Sequence, residues 1–127
     1  MSGFFGTPVD QAAWSTYTPT ITSQGGTPTT VTATGRYKVI GKTAIVEINV
    51  TVTNAGTATG NMNATLPLTA ASYNYSGSSF EYSATAKSGG AAINTGDLTR
   101  VFCRDAAAGS YWVTGYGVAI SMIYELP

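Results

Sequence analysis

Six carboxylates, six cations, one thiol and a set of loop aromatics are the side chains through which this 127-residue sequence could do chemistry. The carboxylates are Asp10, Glu47, Glu81, Asp97, Asp105 and Glu125. A glycoside hydrolase needs two of them facing each other across a cleft, and no spacing here pairs them. Glu47, Glu81 and Glu125 are expected on the polar faces of strands, where solvent or a nearby cation is the plain role. Histidine is absent, which removes the Ser-His-Asp triad, the Cys-His pair and the imidazole general base. One cysteine without histidine supplies no usual zinc site and no intrachain disulfide. Cys103 sits between Phe102 and Arg104 with no base to activate it, so a buried, inert thiol is expected. Gly25-Gly26 and Gly89-Gly90 are not followed by the Gly-Lys-Ser/Thr of a phosphate loop. No catalytic residue, metal site or cofactor is expected.

The aromatics suggest binding instead. Tyr73 and Tyr75 flank Asn74, and Tyr111, Trp112 and Tyr116 surround another turn. Aromatic faces beside amides and hydroxyls suit sugar rings and suit protein interfaces equally. Tyr73, Asn74 and Tyr75 are the candidate glycan or receptor contact, whereas Trp112 and Tyr37 are expected as core or rim aromatics of a β-sandwich. Arg36, Lys38 and Lys42 form a small basic cluster. Such a cluster deters stray pairing at a sheet edge or meets a carboxylate of a neighbouring subunit.

The elements that must position these residues are strands. Charged residues are only 9% of the chain and the net charge is zero, against about 25% charged in an ordinary domain. That balance gives no electrostatic case for nucleic acid or an anionic membrane surface. Polarity comes from 21 threonines and 11 serines, and threonine favours strands. Lys42 to Thr53 alternates, with Ala44, Val46, Ile48, Val50 and Val52 on one face and Ile45 the one apolar residue on the other. Met62, Ala64 and Leu66 repeat the pattern, as do Val118, Ile120, Met122 and Tyr124. Further strands are expected at Tyr17–Ser23, at Thr29–Ile40 with a bulge at Gly35, at Phe80–Thr85 with Phe80, Tyr82 and Ala84 on one face, at Leu98–Arg104 and at Tyr111–Leu126. Ala70–Ser79 is expected as a loop and Ser88–Gly90 as a turn. About eight short strands in this spacing predict an all-β fold, an antiparallel β-sandwich of jelly-roll type. It would span 14–127, preceded by an arm at 1–13. The three sequons at Asn49, Asn63 and Asn74 are expected by chance in so hydroxyl-rich a chain. No secretion signal or membrane span is evident.

Several segments, in order, resemble a domain of tailed-bacteriophage tail and fibre proteins. They are Trp14-Ser-Thr-Tyr17-Thr-Pro19-Thr, Gly35-Arg-Tyr37-Lys-Val-Ile40-Gly41-Lys42, Gly56-Thr57-Ala58-Thr59-Gly60, Leu66-Pro67-Leu68-Thr69-Ala70 and Ile123-Tyr124-Glu125. The resemblance runs from Trp14 to Glu125. It implies a homotrimeric β-sandwich exposed on a virion assembled in the host cytoplasm, acting in a tail fibre or receptor-binding tip and touching host glycans. Ile45, Arg36 and Lys42 are then candidate subunit contacts. Phe4, Phe5 and Pro8 become the candidate anchor to another virion protein. Because only Met1 to Ala13 precede the resembling region, a capsid decoration or head-fibre role is the alternative, and a free carbohydrate-binding module is a third.

Overall fold

The computed structural model describes residues 13–107 and 109–127. The anchor candidates Phe4, Phe5 and Pro8 lie outside the described residues. The fold is all-β. Among the described residues nine strands run in chain order: β1 (Ser15–Tyr17), β2 (Ile21–Gly25), β3 (Thr30–Ile40), β4 (Thr43–Asn54), β5 (Thr59–Thr65), β6 (Ser76–Glu81), β7 (Ser88–Asn94), β8 (Asp97–Asp105) and β9 (Gly117–Glu125). They form one antiparallel sheet in the order β1-β3-β4-β9-β6-β7-β8-β5-β2. This is a curled half-barrel of nine strands, one more than expected, rather than two clearly separate sheets.

The alternating strands dictate the inside. Ala44, Val46, Ile48, Val50 and Val52 of β4 are buried beside Val118, Ile120, Met122 and Tyr124 of β9. Met62 and Ala64 of β5, Ile93 of β7 and Val101 and Cys103 of β8 extend the core across the sheet. The connection between β3 and β4 is the two-residue turn Gly41-Lys42, with Gly41 at φ 62°. Glycine at the first turn position is what a tight hairpin of this twist requires.

The two ends of the sheet meet at a corner. The single strand expected at Tyr17–Ser23 is two strands, β1 and β2, separated by Thr18–Thr20 and lying at opposite ends of the order. The Tyr17 hydroxyl donates to the Thr65 carbonyl at 2.9 Å, the Thr65 N–H donates to the Thr20 carbonyl at 3.1 Å, and the Thr20 N–H donates to the Thr65 hydroxyl at 2.8 Å. These bonds tie β1 to β5 and so curl the sheet. Gly35 makes this possible without the expected bulge. Pairing of β3 with β4 is regular through Gly35, and the Tyr17 ring occupies the place a side chain there would fill. The register shift of β3 lies instead at Thr30/Val31. Beyond the corner, β2 and β3 are not hydrogen-bonded to each other, and an open cleft of about 600 Å³ lies between them, lined by Ile21, Thr22, Ser23, Thr27 and Val31 among others.

Three further expectations are corrected. Ser88–Gly90 is not a turn but the start of β7, paired on both sides. Gly89 there lies against the Arg104 carbonyl and the Tyr111 hydroxyl, leaving no room for a side chain. The loop expected to Ser79 ends at Tyr75, and β6 ends at Glu81, so its faces are reversed: Ser79 and Glu81 point inward while Phe80 and Tyr82 are exposed. Residues 111–116 are loop rather than strand, yet Tyr111, Trp112 and Tyr116 are buried in it.

Candidate functional site

The loop after β5 presents Tyr73 and Asn74 to solvent. Tyr75 does not join them. It packs partly buried against the core, and its carbonyl accepts the Ile93 N–H at 3.2 Å. Of the three candidate glycan contacts, two remain available on one exposed loop, held by the Asn74 N–H donating to the Ser72 hydroxyl at 3.2 Å.

The basic cluster resolves into an edge assembly on the outer face. Arg36 donates to the Glu47 carboxylate through Nε at 2.8 Å and Nη2 at 2.6 Å. Its guanidinium also lies 4.4 Å from the Trp14 ring centroid, with the Lys38 ammonium at 5.8 Å. The carboxylate that Arg36 meets is therefore in its own chain. Lys42 stands exposed in the β3–β4 turn, and its carbonyl accepts the Leu126 N–H at 2.7 Å. Ile45 is half-buried on the outer face opposite Ile123.

The carboxylate expected on a solvated face, Glu81, is fully buried. The chain turns back after β6 so that six donors converge on it: the Ser83 N–H at 2.9 Å and hydroxyl at 2.7 Å, the Ala84 N–H at 3.0 Å, the Thr85 N–H at 2.6 Å and hydroxyl at 2.9 Å, and the Gly117 N–H at 3.2 Å. Burial alone pushes this carboxyl up, but the bonds from Ser83, Thr85 and Ala84 outweigh burial and hold it well below the usual carboxylate range. A carboxylate so saturated is a clamp for the β6–β7 turn and for the start of β9, with no lone pair left for a substrate. The spacing Glu-x-Ser-x-Thr is the sequence signal for it: an acceptor followed by two hydroxyl residues within one tight turn.

Asp105 is the second buried carboxylate. Its Oδ1 accepts the Gly109 N–H at 2.6 Å and the Ala107 N–H at 3.0 Å, and its Oδ2 lies 3.5 Å from Lys87. Nearby, the Ser79 hydroxyl donates to the Gly90 carbonyl at 3.0 Å. Its single proton is thereby committed, so the Tyr111 hydroxyl, 2.9 Å away, is the donor between the two. Among the described residues no group of three acidic or thiol side chains could hold a metal ion.

Cys103 is buried as expected, and burial pushes its thiol up to about 12. In native protein at pH 8 the thiol will therefore resist a disulfide reagent, and it will titrate stoichiometrically in about 6 M guanidinium, where the core is lost. Rapid labelling without denaturant would show that the core opens at β8.

Comparison with family models, with curated proteins and with solved structures finds no match to this chain.

Proposed function

We propose that this chain is a non-enzymatic structural protein of a bacteriophage virion, a homotrimeric surface-exposed β domain of tail-fibre or receptor-binding type that touches host glycans through Tyr73 and Asn74. The observation that carries the reading is the ordered series of segments from Trp14 to Glu125 that resembles such domains. Two features of the surface support it. Charge is scarce, at 9% of residues, and large apolar side chains such as Ile40, Tyr73, Phe80 and Ile123 stand in solvent, as suits a subunit with neighbours. The two buried carboxylates are engaged in holding turns, which favours a structural over a hydrolytic role.

Labelling of intact particles with an antibody to this chain is the direct test. Label at the tail, with adsorption to host cells lost when the chain is deleted, is the expected result. Label spread over the capsid with adsorption unchanged would replace adhesion with decoration of the shell. Absence from purified particles would overturn the virion reading altogether. Light scattering is expected to give a mass built on three chains, and a stable monomer at micromolar concentration would remove the trimer.

A further inference from the structure

On the outer face of β9 and β6, two large apolar side chains stand at opposite ends of one patch. Ile123 is 58% exposed and Phe80 is 43% exposed. The cross-strand registers define what lies between them. Ile45 pairs Ile123 in one row, Glu47, Ser121 and Ser78 form the next, and Asn49, Ala119 and Phe80 the third. The centre of the patch is therefore small and hydroxylated. A groove of about 400 Å³ runs there, lined by Ile45, Glu47, Ser76, Ser78, Ser121 and Ile123. Ser76, Ser78 and Ser121 are exposed.

We propose that this face is a two-fold contact between two copies of the chain, with the axis running across the strands along the Ser121–Ser78 row. Such an axis reverses strand direction in the partner and keeps each strand opposite itself. A residue two positions to one side of the row then meets the residue two positions to the other side. Ile123 falls on the partner's Ala119, Phe80 on the partner's Ser76, and Ile45 on the partner's Asn49. Each bulky apolar group meets a shorter side chain, so the two faces interlock with the close packing that dispersion rewards. The pattern is self-complementary, which is the requirement of an isologous interface. Glu47 also lies in the axis row, but Arg36 bridges it at 2.6 Å, so the row carries no unpaired charge. A polyanion or an anionic membrane finds no attraction here.

The size of the patch sets the strength. Three strands wide and about five residues long, it measures about 14 by 17 Å, well below the roughly 800 Å² per partner of a standard interface. The contact is therefore weak and concentration-dependent, to be read at chain concentrations from about 10 µM to 1 mM. The inference goes beyond the proposed trimer. A trimer joined through this face becomes a hexamer, and a chain that does not trimerise becomes a dimer.

Sedimentation equilibrium of the full chain across that concentration range is the test. The expected result is a mass that rises to an even number of chains and is halved in both Ile123→Asp and Ser121→Arg. The second variant fills the centre of the patch at an exposed position without removing any apolar group, so it stands if the first fails to fold. Circular dichroism and the unfolding midpoint report folding in each, and Tyr73→Ser should leave the mass unchanged. A mass that reaches two chains and stops overturns the trimer while supporting this contact. A wild-type mass that stays at three chains throughout overturns the contact and leaves the trimer standing, and an even-numbered mass that neither folded variant alters overturns the contact through this face. A monomer at every concentration overturns both.

Discussion

Replacing Glu81 with glutamine is expected to lower unfolding stability by about 3 kcal/mol at neutral pH, and replacement with alanine by more. The cost follows from the geometry. The carboxylate is buried and takes bonds from six donors at 2.6 to 3.2 Å. Glutamine keeps one acceptor oxygen but turns an NH₂ toward N–H groups that are themselves donors. Alanine leaves the Gly117 N–H facing only the Ser83 hydroxyl, at 2.8 Å, and leaves the amides of the turn uncapped. For a chain of this length the glutamine variant should melt lower by on the order of 10 °C. Glu47→Gln is the comparison: its ion pair with Arg36 is 2.6 Å long but largely solvated, and its loss should cost less than about 1 kcal/mol. Equal effects for the two variants would show that the Glu81 clamp does not hold the turn.

The same carboxylate makes stability depend on acid, and the sign is set by the direction of its shift. Its folded value lies below the unfolded one, so the unfolded chain binds the proton more readily. The stabilisation is complete above the unfolded value, about 4.3 for a glutamate, and is lost as pH falls from there toward the lower folded value. Wild-type protein is thus expected to lose unfolding free energy steeply below pH 4.5, while Glu81→Gln, lacking the titrating group, shows a shallower slope. Urea midpoints measured from pH 7 down to pH 3 read both curves. Parallel curves would assign the acid sensitivity to other carboxylates.

Glu81 also marks where the sequence stopped being informative. The long alternating strands were legible because one face is buried and the other is not: Ala44 through Val52 and Val118 through Tyr124 lie inside as their period requires. In β6 the same reasoning chose the wrong face. Hydrophobicity puts Phe80 and Tyr82 inside and Glu81 outside, because it carries no trace of the donors that Ser83, Thr85 and Gly117 bring from a turn and another strand. A carboxylate can be buried when its charge is matched by hydrogen bonds, and only two of those three residues are near it in sequence. The glycines misled for a related reason. Gly35 and Gly89 resembled punctuation but lie within paired strands, serving the Tyr17 ring and the Tyr111 hydroxyl respectively. Both partners are long-range and leave no local signature.

The segments that carry the resemblance each have a structural role in this fold. Tyr17 and Tyr37 meet edge to face with ring centroids 5.9 Å apart, and Tyr17 seals the corner through Thr65. Gly41, Gly56 and Gly60 all adopt positive φ. Leu66 and Ala70 are buried, and the Tyr124 hydroxyl donates to the Leu68 carbonyl at 2.7 Å. These residues build the curl and its turns. The exposed pair Tyr73 and Asn74 belongs to none of the segments, so the resemblance speaks to architecture, and binding must be established on the loop itself.

Gly77→Ala is expected to be among the most damaging single-methyl changes in the chain, lowering stability by about 1–2 kcal/mol net. Gly77 lies on the same face of β6 as Ser79 and Glu81, and an added Cβ would overlap the backbone carbonyl of Ser121 and press on the Met122 sulfur. The sulfur can swing away, but the carbonyl is fixed by the β4–β9 ladder, in which Met122 pairs Val46 and Ser121 pairs Glu47. Relief therefore requires β6 to move off β9, which strains the Ser78–Ser121 and Ser79–Ile120 pairs. Overpacking of this kind costs about 1–3 kcal/mol or more, and the gain of about 0.4–1 kcal/mol from a stiffer unfolded chain offsets only part of it. Gly90→Ala on the adjacent strand isolates the cause. No atom lies within 4 Å of the Cβ it would add, so the unfolded-chain effect acts alone and the variant should be neutral or slightly more stable. Urea unfolding at unchanged slope, with the Gly77 midpoint shifted down and the Gly90 midpoint level or up, is the expected pair of curves. Equal losses in the two would mean that glycine is needed on these strands for backbone freedom rather than for the close approach of β6 to β9.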